Sequence, residues 1–146
     1  MVRRLAWFLS LAGAIPFLAA TAALYVSDSS SVRVPAITAL VTYSAVILSF
    51  LGGIEWGLAI RDESGNESTR VIALGLSTVS SLAAWAVLWL PSPTWQVGSA
   101  LALFVAVWAA DGWMAGRGLL PSWFVDLRTA VSAIVATILA VALYAL

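Results

Sequence analysis

The sequence predicts an all-α membrane protein, a single bundle of five transmembrane helices with short loops, its N-terminus cytoplasmic and its C-terminus outside. Three observations predict it. Five apolar stretches fill most of the 146 residues. Hydrophobic residues make up 62% of the chain and its mean hydropathy is +1.02, beyond what a soluble domain carries. The arginines, finally, cluster on alternate connections between the stretches.

Crossing the hydrocarbon core takes about 20 mostly apolar residues in a helix. The spans on that basis are Leu5–Val26, Val34–Ile60, Val71–Leu90, Val97–Ala115 and Trp123–Ala145. The connections 27–33, 61–70, 91–96 and 116–122 are too short to hold a soluble domain, so residues 1–146 read as one integral membrane domain. The runs are too long for barrel strands and do not alternate. Ser68 and Thr69 look like helix-starting residues for the third span, and Pro91 and Pro93 stop it. The Arg3-Arg4 pair before the first run also fits a secretory signal. The length of that run, with Pro16 near its middle, favours a membrane span instead.

Orientation follows from charge. With five spans, the N-terminus and the second and fourth connections share a face. That face carries Arg3, Arg4, Arg61, Arg70 and Arg117, with Arg128 close by, whereas the opposite face has Arg33 alone. The positive-inside rule assigns the arginine-rich face to the cytoplasm. Aromatic residues mark the same boundaries: Trp7, Trp56, Trp113 and Trp123 at the inner interface, Tyr25, Trp89, Trp95 and Tyr144 at the outer one. Trp56 and Trp113 fit packing and anchoring equally well.

Composition narrows the chemistry. There is no Cys and no His. That argues against thiol redox, disulfides, His-ligated haem, the usual zinc sites and His-based triads. The net charge is zero, and no basic run suggests nucleic acid. No glycine-rich phosphate loop follows a strand, so no cofactor is expected. The glycosylation-like Asn66-Glu67-Ser68 falls in an expected cytoplasmic loop and reads as chance.

The informative residues are charges inside spans. Glu55 lies six residues before Arg61, Asp111 six before Arg117, and Arg128 five after Trp123. At about 1.5 Å per residue, all three sit roughly 8–9 Å inside the same boundary. Each costs roughly 2.5–3.5 kcal/mol at a helix centre, and less near an interface. Arg128 has no acid on its own helical face: positions 124, 125, 131 and 132 are Phe, Val, Val and Ser, and Asp126 points away. Glu55 or Asp111 is therefore its expected partner. Such a layer serves either as an ion-pair lock between helices or as a proton or ligand site.

Packing has its own signal. Ala45, Ser49, Gly53 and Gly57 recur every four residues, a small-residue stripe that lets another helix approach, within the bundle or in a dimer. Glu55 lies roughly opposite, so burial on both sides would make this helix central. A weaker row runs through Ala102, Ala106 and Ala110. Ser77, Ser81, Trp85 and Trp89 share a face of the third span that reads as packing, with the hydroxyls bonded back to the helix.

The stretch YSAVILSFLGGIEWG, Tyr43–Gly57, resembles the core motif of a family of small membrane proteins, domain of unknown function 3429, of proteobacteria and animal mitochondria. The matching residues are Tyr43, Ser49, Phe50, Gly52, Gly53, Trp56 and Gly57. Gly13–Phe17 (GAIPF) and Leu120–Thr129 (LPSWFVDLRT) are similar to two weaker segments, the latter through Pro121, Trp123 and Arg128. Glu55 departs from the pattern, which allows a basic or imidazole residue there. The resemblance implies a bacterial inner-membrane protein and carries no activity. Two functions fit: a non-enzymatic accessory or assembly component of a membrane complex, and a small proton-linked transporter or channel using Glu55, Asp111 and Arg128. Catalysis ranks third, since only carboxylates, Arg and hydroxyls are available. The expected partners are the lipid bilayer and another membrane protein or a second copy.

Overall fold

Gly13 and Pro16 break the first apolar run in two. In the computed structural model, which describes residues 1–61 and 66–146, the run forms α1 (Val2–Ala12) and α2 (Ile15–Val26) rather than one continuous helix. Pro16 has no N–H to offer the carbonyl four residues back, so the helical ladder cannot pass through this point. The Tyr43 hydroxyl donates to the Gly13 carbonyl at 3.0 Å, and Phe17 packs edge-on against the Tyr43 ring at 4.9 Å. Two of the segments that carry the family resemblance thus meet at the break.

The remaining spans are single helices: α3 (Ser30–Arg61), α4 (Glu67–Val87), α5 (Pro93–Ala115) and α6 (Ser122–Tyr144). All five spans, counting α1 and α2 together, are long and apolar enough to cross a membrane. Their ends differ from expectation for local reasons. The start of α4 is set by Asn66, whose side chain accepts from the Ser68 N–H at 2.9 Å; Ser68 and Thr69 lie inside the helix. The rest of the predicted 61–70 connection includes residues 62–65, outside the described residues. Pro93 opens α5 instead of belonging to the preceding loop, because the first helical position needs no N–H donor and Ser92 caps it. Gln96 then reaches back to the Leu88 and Leu90 carbonyls, both at 3.1 Å, which the end of α4 leaves without helical partners. Between α5 and α6, Gly118 adopts φ +78°, and N–H groups of Gly118 and Leu119 return to Ala115 and Met114. That closing turn needs a left-handed residue, which glycine adopts without strain.

The helices form a ring in which α2, α3, α4, α5 and α6 each pack on the next and α6 returns to α2, with α3 and α5 also in contact across it. At the end opposite the arginine-rich face, Arg33 ties the ring together. Its guanidinium donates to the Leu24 carbonyl at 2.9 Å and to the Ala145 carbonyl, the ends of α2 and α6. The Tyr25 hydroxyl adds a bond to the Val141 carbonyl at 2.7 Å.

The small-residue stripe does not pack inside this bundle. Ala45 is buried, but Ser49, Gly53 and Gly57 lie on the outer surface, with open space above both glycines. Close approach uses the neighbouring register. A Cβ on Gly52 would lie 2.7 Å from the Ser77 carbonyl oxygen and 2.9 Å from the hydroxyls of Ser80 and Ser81. The reason is Glu55: burying it and Ala59 turns Gly52 inward and Gly53 outward, at about 100° per residue. Likewise Ala102 and Ala106 are exposed. On α4, Ser80 and Ser81 do bond back to the Ser77 carbonyl, at 2.9 and 3.2 Å, while Trp85 and Trp89 point outward.

Gly52→Ala should therefore destabilise the protein by about 1–3 kcal/mol, since overpacking here forces α3 and α4 apart. Gly53→Ala should leave it at or slightly above wild type, as a glycine relieved in a helix interior. Thermal unfolding in detergent measures both; equal effects would mean that α3 is rotated from this register.

Candidate functional site

The charge layer divides the core. A large apolar cluster fills most of the bundle and includes Leu51, Val107 and Val135. A smaller one, Ala59, Ala73, Met114 and Leu120, closes the arginine-rich end. Between them along the chain lie Glu55 on α3, Asp111 on α5 and Arg128 on α6, which are 2%, 4% and 7% exposed. Glu55 and Asp111 follow from their helices: Leu51 and Ala59, and Val107 and Met114, face the core one turn to either side, so the acid between them must face it too. Arg128 lies on the buried side of α6 with Leu127 and Ser132.

Arg128 meets Asp111. Its Nε donates to Asp111 Oδ2 at 2.7 Å, a short charge-assisted bond joining α5 to α6. Glu55 is brought within Coulombic range of both but forms no ion pair with Arg128 among the described residues. Neither carboxyl oxygen of Glu55 has a hydrogen-bond partner among the described residues. Of the two acids that depth alone offered to Arg128, the structure uses the one on the adjacent helix.

Outside the pair, Trp108 Nε1 donates to Thr129 Oγ1 at 3.1 Å, a second polar link between α5 and α6. Arg70 crosses to the Ala59 carbonyl at 2.8 Å and so holds α4 to the end of α3. Arg117 stacks on Trp113 at 3.8 Å, and Arg3 lies over Trp123 at 5.4 Å. These cation–π contacts spread the charge of the arginine-rich face over aromatic surface.

A pocket of about 230 Å³ reaches this layer from the flank of the bundle. Its walls come from α1, α2, α3, α5 and α6, and its polar lining includes Arg128 and Ser132. Ser132 was recognisable in the sequence only as the residue one turn beyond Arg128; its buried hydroxyl has no partner among the described residues. The other motif residues have structural places. Phe50 lines the pocket and is exposed, Trp56 is half-exposed, and Pro121 precedes the first residue of α6.

No solved structure matches the chain. Among curated proteins it is similar to Transmembrane protein 69 of Xenopus tropicalis, 33% identical over 129 residues. That alignment covers 88% of this chain and 49% of the relative, so the chain spans about half the length of the curated relative it matches. A family model described as "Protein of unknown function (DUF3429)" matches residues 2–144. The chain belongs to that family, and is a multi-pass helical membrane protein.

Proposed function

We propose that the protein is a non-enzymatic accessory or assembly component of a membrane complex in the bacterial inner membrane. The observation that carries this reading is the outer face of α3, where Ser49, Gly53 and Gly57 leave room beside the backbone. A partner helix can approach such a face closely, and in lipid close packing is the main source of helix association. The paired Asp111 and Arg128 support it, because a lock between α5 and α6 keeps the bundle rigid behind that face. A photo-crosslinking residue at Gly53 should capture a defined membrane protein or a second copy in native membranes. The same residue at Val79, on the exposed side of α4, should capture neither. Equal labelling from both positions would remove the support.

The second reading is proton-linked transport, and Glu55 favours it. A buried carboxyl that holds no partner is the group of this layer best suited to exchange a proton or a ligand. A mutant cycle separates the two. Arg128→Met alone leaves Asp111 buried without its partner and should cost roughly 3–5 kcal/mol, whereas the pair Arg128→Met with Asp111→Asn should cost less. Additive losses would mean that the two charges act independently. Glu55→Gln should fold like wild type, having no hydrogen bond to lose. Lost cellular function in that stable variant would favour transport; retained function would favour the accessory role.

We also infer a cytoplasmic N-terminus and an external C-terminus, supported by the arginine asymmetry. A reporter inserted at Gly118 should be active in the cytoplasm, and one fused after Leu146 active outside it. The reverse pattern overturns the orientation.

A further inference from the structure

The flank pocket has a polarity of its own. On α6 its lining runs from Phe124 to Val135, about 16 Å along the axis at 1.5 Å per residue. Arg128 lies in the part nearer the arginine-rich end. Beyond it, toward the middle of the bundle, the lining is Val131, Val135, Phe17, Phe104 and Ile47, with Ser132 among them. The rim includes Leu9 on α1 and Phe50 on α3, both exposed on the outer surface, so the pocket opens toward lipid rather than toward water.

Arg128 brings unused donors to this pocket. Its Nε is engaged by Asp111, while its two Nη groups form no hydrogen bond among the described residues. The Ser132 hydroxyl, on a residue 8% exposed, has no partner either. A buried hydroxyl without a partner is costly, and together with the free edge of the guanidinium it selects a ligand that supplies acceptor oxygens. Side chains on a helix tilt toward its N-terminus, which for α6 is the arginine-rich end, so the guanidinium leans toward the interface. Acceptors at the interface side and apolar surface toward the midplane is the order of groups in a lipid of that leaflet.

We propose that the pocket binds one acyl chain of a glycerophospholipid, whose ester or phosphate oxygens accept hydrogen bonds from the outer edge of the Arg128 guanidinium. The broken first span makes the room: α1 leans on α6 while α2 packs against both α3 and α6, and the pocket lies beneath the break at Gly13. The lipid enters sideways without leaving the bilayer. This site is independent of the α3 outer face and of the accessory reading built on it.

Native mass spectrometry of the detergent-purified protein titrated with 1-palmitoyl-2-oleoyl-phosphatidylglycerol tests the proposal. Wild type should retain one tightly held lipid. Val131→Trp and Ile47→Trp, which fill the pocket from α6 and α3 without touching the ion pair, should each lower its occupancy about tenfold. Ser132→Ala should lower it less, and Val79→Trp on the outer face of α4 should not change it. Thermal unfolding of the lipid-free proteins identifies any filled variant that is misfolded, and the other then decides. Equal retention by wild type and the folded filled variant overturns the proposal. So does a pocket that takes palmitate but not the phospholipid.

Discussion

The arginine-rich half of the bundle depends on one bond, from Arg128 Nε to Asp111 Oδ2. Two ionised groups within a membrane-spanning bundle are tolerable only together. Such a pair adds little net stability over apolar packing, but it discriminates strongly among arrangements. Changing the register of α6 against α5 by one residue, a shift of about 1.5 Å with a rotation of about 100°, would turn Arg128 away and leave both groups unmatched. The apolar clusters on either side carry no directional bond to add to that discrimination. The bond therefore sets the register of α5 and α6, and Trp108 on Thr129, one turn away on α5 and the next residue on α6, adds a second link.

With α6 placed, α3 takes the rest of its surroundings. It packs on α2, α4 and α5, with Gly52 against the serines of α4 and Tyr43 against the break in the first span. Its buried face is thus committed at two depths by two kinds of contact, a hydroxyl on a carbonyl and a missing side chain, and a third depth carries the buried carboxyl of Glu55. What remains outward is the strip of Ser49, Gly53 and Gly57. The same helix holds the bundle together and presents its least bulky surface to the bilayer.

Hydropathy was enough to read the five spans, since it is a sum over many residues. Matched depth was enough to bring Asp111, Arg128 and Glu55 into one layer. Details that hang on single residues were harder to see. Gly52 and Gly53 are adjacent and chemically identical; only the burial of Glu55 and Ala59 decides which one faces α4. Pro16 was visible, but whether a proline kinks a span or ends it depends on what packs against the break, here the Tyr43 hydroxyl on the Gly13 carbonyl from 30 residues away. The Asn66 cap was hidden by the hydroxyl residues that follow it. Depth alone could not choose between Asp111 and Glu55, because the choice rests on which helices are neighbours.

Arg33 has a consequence for the order of assembly. Its guanidinium bonds carbonyls at the ends of α2 and α6, which are separated by nearly the whole chain. During synthesis α2 and α3 are available early, and the first of these acceptors is present as soon as they pair. The second does not exist until α6 has been made and inserted. The ring then closes only when α6 docks between the first span and α5. Without α6, the faces of α2 and α5 that it covers lack their helical neighbour, and the ring is open on that side.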